Sequence, residues 1–360
     1  MRSPSISTAA DSAGGPRVPS AREAVDRLIT DVGVPAAGTR LGVAALLYTY
    51  RCTIACRHCC FGCAGERPPV HMTTEQAVFH LRQLHELGRV IHIAGGEAMM
   101  FWDDLLTALQ AAFAEGVQPH FIESNASFAA DDAIVRERYA ALQANGVVGV
   151  LLSADPYHQA FVPPQRYLRA RRIAREMFGP QNVWTTDAAD ERVMDFAAIA
   201  RDEARLREHV RAHPPVLVGT AHRSLRPFLD PAPLGQLPPG RAWRVPHNDP
   251  GCLVEFARET LWELHIDPYD NIQTNCGIIL GNARETRLLD LLARGPENAN
   301  FISKLLCDAG PLGLTDFARR EHGFAAPDHA VTKCDLCYTT RTFLRPHYPH
   351  ILGPAEVYGE

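Results

Sequence analysis

Cysteine is the residue type in this sequence best suited to metal chemistry, and the ten cysteines fall into two groups. Five lie within twelve positions: Cys52, Cys56, Cys59, Cys60 and Cys63. None occurs from 64 to 251, and five more follow in the last third: Cys252, Cys276, Cys307, Cys334 and Cys337. Disulfide frameworks spread cysteines through a chain, whereas metal sites gather them. Because no apolar signal-peptide segment begins the sequence, we expect a reducing cytoplasm and thiolate–metal chemistry.

The composition is that of a soluble globular protein. Of 360 residues, 46% are hydrophobic and 21% are charged, which excludes wholesale disorder. The 36 basic and 41 acidic residues leave a net charge of −5, which argues against a nucleic-acid-binding surface. No apolar run approaches the roughly 18 residues of a spanning helix, so we expect no membrane partner.

From residue 42 onward, apolar runs alternate with amphipathic segments. The apolar runs predict six strands, within 41–50, 89–97, 118–126, 147–155, 182–186 and 214–222. Helices are predicted within 73–87, 102–116, 131–146, 164–179 and 194–213. This alternation predicts an α/β fold with a parallel sheet and right-handed crossovers.

Polar residues that could bind a ligand follow the predicted strands, at the end where parallel α/β folds hold their ligands. They are Cys52 to Cys59 after the first strand, Gly95, Gly96 and Glu97 after the second, Ser124 and Asn125 after the third, and Ser153 and Asp155 after the fourth. If the strands are correct, these residues converge on one rim.

The first cysteines have the spacing C-x3-C-x2-C. Three thiolates on one loop can hold three irons of a [4Fe–4S] cluster, which leaves the fourth iron open to a small molecule. A zinc site formed by the pair Cys56 and Cys59 with the pair Cys60 and Cys63 is the alternative. These two pairs directly follow one another, whereas a zinc ribbon separates its two cysteine pairs by roughly 15–20 residues. The sequence resembles the radical S-adenosylmethionine (radical SAM) superfamily in three features together: the cysteine spacing, the Gly95–Glu97 motif and the alternation of six predicted strands with helices.

The resemblance implies a partial (β/α)6 TIM barrel over residues 41–222. It also implies that Cys52, Cys56 and Cys59 bind a [4Fe–4S] cluster whose open iron chelates S-adenosylmethionine. Reductive cleavage would then give methionine and a 5′-deoxyadenosyl radical, which abstracts hydrogen from the substrate. The cofactor-binding residues would be Gly95, Gly96, Glu97, Ser124, Asn125, Ser153, Asp155 and one arginine, for which we select Arg169 over Arg166 and Arg171. Ser124 and Asn125 could instead cap the next turn.

The second cysteine group resembles the cluster-binding extension called SPASM, or its shorter form, twitch. Asp267, Pro268, Cys276 and the Gly281–Asn282 pair match its hairpin. The resemblance implies one auxiliary [4Fe–4S] cluster on Cys252, Cys276, Cys334 and Cys337, with a structural zinc as the alternative. Cys307 is left over, and it is a buried thiol, a further ligand or, as a catalytic candidate, a hydrogen-atom donor.

We therefore divide the chain into five segments. They are a partly disordered N-terminal extension (1–40), the partial barrel (41–222), a proline-rich connector (223–251), the auxiliary-cluster module (252–345) and a C-terminal tail (346–360). The module is predicted to contain a hairpin-like stretch and a helix near 284–294.

Radical SAM proteins with this extension commonly modify peptides, and others oxidise small molecules. Our first hypothesis is oxidative modification of a peptide or peptide-like natural product, with the auxiliary cluster as electron acceptor and a flavodoxin- or ferredoxin-type protein as external one-electron donor. The extension before the first strand is short, so we expect no built-in peptide-recognition domain there. The alternatives are a small-molecule dehydrogenase or epimerase and, in another class, a non-catalytic iron–sulfur or zinc protein.

Overall fold

A computed structural model describes residues 19–185, 192–237, 252, 256 and 263–360. Its main sheet has eight strands in the order β5-β4-β3-β2-β1-β7-β8-β9. The strands are β1 (Val43–Leu47), β2 (Val90–Ala94), β3 (Phe121–Ser124), β4 (Gly149–Leu152), β5 (Val183–Thr185), β7 (Glu263–Ile266), β8 (Asn271–Gln273) and β9 (Ile279–Asn282). A separate two-stranded sheet pairs β6 (Ala232–Pro233) with β10 (His329–Ala330).

Strands β1 to β5 run parallel, and helices follow them along the chain. The helices up to residue 225 are α1 (Ala21–Val32), α2 (Val34–Leu41), α3 (Thr74–His85), α4 (Trp102–Ala114), α5 (Asp132–Ala144), α6 (Pro156–Gln159), α7 (Pro164–Phe178), α8 (Val193–Ala200), α9 (Glu203–Ala212) and α10 (Thr220–Leu225). A capping box formed by Thr73 and Gln76 begins α3. The parallel α/β core predicted from the alternation is confirmed, and it is consistent with a partial TIM barrel.

The two faces of β1 pack against different parts of the protein. Ala44 and Leu46 share a core cluster with Leu81 of α3 and Leu105 of α4, so this face is covered by the outer helices. Val43 lies on the opposite face, in a cluster with residues of α1 and α2. Because side chains alternate along a strand, Ala45 and Leu47 also lie on this inner face. Helices α1 and α2 therefore cover the N-terminal end of the sheet, opposite the rim that carries the cysteine loop.

The prediction of a strand within 214–222 is wrong. No strand forms there, and the Val218 amide bonds to the carbonyl of Val216, only two residues back. Pro214 and Pro215 cannot donate to a strand ladder. Leu217 and Val218 are nevertheless fully buried, which explains the apolar run that suggested a strand. The helix predicted at 194–213 is also divided, into α8 and α9.

The strand that joins β1 on its other side comes from the C-terminal part of the chain. Strand β7 pairs in parallel with β1, and β7, β8 and β9 then follow as an antiparallel meander. The hairpin-like stretch expected in the C-terminal segment is present, and its first strand belongs to the main sheet. Part of the proline-rich connector, 238–251, lies outside the described residues.

Helices follow the meander. They are α11 (Leu288–Arg294), α12 (Phe301–His322), α13 (Lys333–Leu344) and α14 (Ala355–Tyr358). The helix expected near 284–294 corresponds to α11. Helix α12 is kinked at Gly310, whose φ of 66° is not helical, before Pro311, which lacks an amide hydrogen. Within the described residues, no helix combines the length and apolar character needed to span a membrane.

Candidate active site

The cysteine loop begins shortly after β1 and is closed on itself by backbone hydrogen bonds. The amide of Cys52 donates to the carbonyl of Ala64 at 3.1 Å, and the amide of Ala64 donates to the carbonyl of Tyr50 at 3.3 Å. The loop therefore leaves the sheet after Tyr50 and returns to the same place at Ala64, which confines its cysteines to the rim.

The loop holds its thiols close together. The Sγ of Cys59 accepts a hydrogen bond from the Cys63 amide at 3.3 Å. Hydrogen bonds from the Cys56 and Cys63 thiols hold the pKa of Cys59 below its usual range, and the same contacts together with burial raise the pKa of both donors. Cys63, which the sequence left unassigned, thus contacts one of the predicted cluster ligands, whereas Cys60 is half-buried beside them.

Gly95 and Gly96 lie directly against the start of this loop. The Gly96 amide donates to the carbonyl of Thr49 at 2.7 Å, and the Gly96 carbonyl lies 3.2 Å from the Cys52 sulfur. A Cβ on Gly96 would lie 2.0 Å from the Arg51 carbonyl oxygen, so only glycine permits this approach. The two glycines therefore hold the cysteine loop in place in this structure.

Glu97 is buried at the end of β2, and its carboxylate joins β2 to β3. It accepts hydrogen bonds from the Ser124 hydroxyl and the Asn125 amide, both at 2.9 Å, and from the Met99 amide at 3.3 Å. Burial outweighs these bonds and raises the pKa of Glu97 to about 7. Since a carboxylate offers about four lone-pair sites, one acceptor site remains for a cation such as an ammonium group.

Ser124, Asn125 and Ser153 are all brought to the rim. The Asn125 side-chain amide points at the cysteine loop, 3.5 Å from the Cys52 sulfur and 3.1 Å from the Thr53 hydroxyl. The Ser153 amide bonds to the Ser124 carbonyl and so continues the ladder between β3 and β4. Ser124 also accepts a hydrogen bond from the Ala126 amide, so it caps a local turn as well as binding Glu97.

Both carboxylate oxygens of Asp155 contact other groups of the protein. Its Oδ1 accepts the Tyr157 and His158 amides at the start of α6, and its Oδ2 lies 2.7 Å from His158 Nδ1 and 3.3 Å from His58 Nε2. Burial alone would raise the pKa of Asp155, but the two histidines hold it well below its usual range. A direct contact between Asp155 and a cofactor would therefore have to replace one of these histidines.

Sequence reasoning gave His58 and His158 no chemical role, although the structure places both at the rim. The D-x-x-H spacing of Asp155 and His158 at a helix start was the available signal. An N-cap aspartate and the third residue after it lie on the same face of the first turn. No sequence pattern links His58 to Asp155, because the two residues are far apart in the sequence and lie on different elements.

The three candidate arginines of α7 lie in different surroundings. Arg169, our choice from the sequence, binds Asp132 and the carbonyls of Ala129 and Ala130 at the outer end of α5. Arg166 instead binds the Ser127 carbonyl and lines a cavity of about 440 Å³ with Thr53 and Arg138. Arg166 is thus better placed than Arg169 to meet a ligand beside the cysteine loop.

Two cysteines of the second group, Cys276 and Cys337, contact a buried arginine. Arg341 is 1% exposed, and it donates to the Cys337 sulfur at 3.3 Å and to the Cys276 carbonyl. Cys334 precedes Cys337 by three residues on α13, so both lie on one helix face. The Cys252 amide bonds to the carbonyl of Leu306, next to Cys307 on α12. A guanidinium is an apt partner for thiolates, since it supplies charge and hydrogen bonds together.

The segment that carries the cysteine loop matches a known family. Residues 46–202 match the family model described as the radical SAM superfamily. Among solved structures, the chain is similar to BtrN in complex with AdoMet and 2-DOIA, at 10% identity and a TM-score of 0.41, over 75% of this chain and 87% of that one. No curated protein matches the chain in sequence. Residues 46–202 of this chain are therefore a radical SAM domain.

Proposed function

We propose that this protein reductively cleaves S-adenosylmethionine and completes an oxidative modification, a crosslink or a dehydrogenation, of a peptide or peptide-like natural product. One observation carries the proposal: the loop with Cys52, Cys56 and Cys59 lies against the ends of β2 and β3, where Glu97 and Asn125 are buried. These residues belong to the domain that matches the superfamily.

The three thiols fit a cluster with one open iron, because they lie on one short loop and hydrogen bonds from Cys56 and Cys63 lower the pKa of Cys59. A [4Fe–4S] cluster on these thiolates, with S-adenosylmethionine on its open iron, would supply the electron that breaks the bond between sulfur and the ribose 5′ carbon. That electron comes from an external donor of the flavodoxin or ferredoxin type, which suits the reducing cytoplasm proposed for this protein.

The protein's own residues orient the cofactor. Glu97 offers its remaining acceptor site to the methionine ammonium, and the arriving cation favours the ionised carboxylate. Arg166 presents a guanidinium to the methionine carboxylate from the cavity that it shares with Thr53. Asp155 holds His58 and His158 in fixed orientations beside the loop, and the stacking of His58 on Tyr157 at 4.5 Å shields that side from water.

The oxidative outcome depends on the second cysteine group. We propose that Cys252, Cys276, Cys334 and Cys337 bind one auxiliary [4Fe–4S] cluster, which accepts the electron that remains after hydrogen abstraction. The support is the buried Arg341 between Cys276 and Cys337, since a buried cation balances the charge of thiolates. Four cysteine ligands would fill every iron position, which favours electron transfer over substrate binding.

The first experiment is anaerobic reconstitution with iron, sulfide, reductant and S-adenosylmethionine, followed by assay of 5′-deoxyadenosine. We expect the wild-type protein to form this product and the Cys56→Ala variant to lose it. Cys60→Ala is the matched control, because it removes a thiol from the same loop without removing a predicted ligand. If the wild-type protein forms no 5′-deoxyadenosine, the enzyme proposal fails and a non-catalytic iron–sulfur protein remains.

The substrate class requires a separate test. A short open reading frame beside this gene, whose encoded peptide gains a crosslink or loses two hydrogens on incubation with the enzyme, would support the peptide proposal. Neighbouring sugar or amino-acid enzymes, together with unchanged mass of every adjacent peptide, would contradict it and favour a small-molecule substrate.

A further inference from the structure

Two histidines lie on the inner face of the sheet, on either side of a small residue. His92 on β2 and His265 on β7 are both in register with Ala45 on the strand between them. Neighbouring strands lie about 4.8 Å apart, so the two histidine backbones are separated by about twice that distance. Ala45 carries only a methyl group between them, and the two imidazole rings approach to 6.4 Å between centroids.

Glu263 completes the group, which we call the inner triad: His92, Glu263 and His265. Glu263 precedes His265 by two residues on β7, so both side chains lie on the same face. Its Oε1 is 3.2 Å from His265 Nε2 and 3.7 Å from His92 Nε2, and the three ligand atoms lie within 4.8 Å of one another. Ligands bound at roughly 2.1 Å in a tetrahedral zinc site are about 3.4 Å apart.

Among the described residues, three of the four ring nitrogens of this triad lack the hydrogen-bond partners that their burial requires. His92 is 2% exposed, and among the described residues neither of its ring nitrogens has a hydrogen-bond partner. His265 is 1% exposed, and its Nδ1 also has no hydrogen-bond partner among the described residues. An unpaired buried polar group costs about 1–3 kcal/mol, so a ligand at this position would relieve a real penalty.

The protonation states also suit a cation. Burial lowers the pKa of His92 to about 4, so its imidazole is neutral at pH 7, the form that binds metals. Burial alone would raise the pKa of Glu263, but His265, His92 and Asn275 hold it well below its usual range. The Asn275 amide donates to Glu263 Oε2 at 2.9 Å and orients the carboxylate, as outer partners of metal ligands do.

Side chains from the cysteine loop and from β3 lie beside the triad. The ring of Phe61, from the cysteine loop, packs edge-on against His265 at 4.9 Å and covers one side. The Glu123 carboxylate lies 4.0 Å from His92 Nε2, and its side chain is 35% exposed, so room exists beside the triad. Two histidines, one carboxylate and an open fourth position form the donor set of many catalytic zinc sites.

We propose that His92, Glu263 and His265 bind a divalent transition metal, zinc in the first instance, inside the barrel and apart from both cysteine groups. The fourth position faces Glu123 and the space beside it, where an oxygen of water or of a substrate would bind. The proposal does not rest on cleavage of S-adenosylmethionine, because none of the three residues is a predicted cluster ligand.

The test measures zinc in the reconstituted protein, purified without oxygen and equilibrated with micromolar Zn²⁺. We expect about one zinc per chain by elemental analysis. At the zinc absorption edge, to which iron does not contribute, we expect nitrogen and oxygen neighbours at roughly 2.0–2.1 Å together with outer-shell imidazole scattering. A first shell of sulfur at about 2.3 Å would place zinc on cysteines instead and overturn the proposal.

Variants locate the ion. Glu263→Gln keeps the shape of the side chain and is expected to weaken zinc binding at least tenfold, and His92→Ala and His265→Ala more so. His322→Ala, which removes a histidine on α12 that bonds to Tyr348, is the control and should keep the zinc. Cys56→Ala should keep it too. If the zinc content of Glu263→Gln equals that of the wild type, or if the wild-type protein retains no zinc, the triad is a metal-free polar layer and the proposal is wrong.

Discussion

Gly219 lies so close to Cys60 that a Cβ on the glycine would be 2.4 Å from the Cys60 carbonyl oxygen. The Thr220 amide bonds to the Cys59 carbonyl at 2.9 Å, and Gly219 adopts a φ of 62°. The segment that does not form the expected sixth strand therefore supports the back of the cysteine loop.

Gly219→Ala should displace that loop. The added methyl group meets backbone atoms, which cannot move aside cheaply, and the positive φ disfavours alanine as well. We expect the reconstituted variant to lose about four irons per chain and most 5′-deoxyadenosine formation. Gly235→Ala is the matched control, since no atom lies within 4 Å of its added Cβ. Equal iron contents in the two variants would contradict the supporting role.

Glu97 should make folding pH-dependent. Its pKa is raised from 4.5 to about 7 in the folded protein, so the folded state binds more protons than the unfolded chain between these values. The stability from this group is therefore fully present below about pH 4.5 and is lost as the pH rises through 7, a change of about 3 kcal/mol. Glu97→Gln removes the titrating group.

Urea unfolding of the metal-free protein at pH 5 and pH 8 measures this effect. We expect the free energy of unfolding to fall between the two pH values by about 2.5 kcal/mol more in the wild-type protein than in Glu97→Gln, because part of the full change has already occurred at pH 5. Equal pH dependences would show that Glu97 is ionised throughout.

Cys276→Ala separates the two cysteine groups. With two [4Fe–4S] clusters, the wild-type protein should contain about eight irons per chain, and the variant about four. The variant should still form 5′-deoxyadenosine but fail to complete the oxidation of substrate. Cys307→Ala is the comparison: about eight irons with full turnover would identify Cys307 as a buried thiol. Turnover that survives Cys276→Ala would rule out the electron-acceptor role.

Arg341→Met tests the charge beside the second group. The substitution leaves the Cys276 carbonyl and the Cys337 sulfur without their donor, and we expect a loss of about 3 kcal/mol in the free energy of unfolding. It should also lower the reduction potential of the auxiliary cluster, because a nearby cation favours the more negative, reduced form. Denaturant titration and potentiometric titration followed by electron paramagnetic resonance measure the two effects.

The control is Arg319→Met, which removes an exposed arginine of α12 that pairs with Asp316 at 3.4 Å. Exposed ion pairs contribute little, so its stability and potential should match the wild type. A potential that shifts equally in both variants would indicate that Arg341 has no specific effect on the cluster.

Local features of the protein could be predicted from short stretches of its sequence. The spacing of Cys52, Cys56 and Cys59 and the apolar runs of β1 to β5 are properties of short segments, and the structure places each strand within its predicted range. The Gly95–Glu97 motif likewise follows β2, as predicted. Hydrophobic periodicity and turn chemistry act over a few residues, so they can be read without knowledge of the fold.

The contacts between distant segments, in contrast, became known from the folded structure. Strand β7 pairs with β1 although the two strands lie far apart in the sequence, and this pairing alone brings His265 and Glu263 beside His92. The contact between His58 and Asp155 likewise joins residues that are far apart in the sequence. The position of Arg166, rather than Arg169, beside the cavity also depends on the packing of α7. Lateral pairing and helix rotation depend on the packing of the whole core, so no local pattern in the sequence records them.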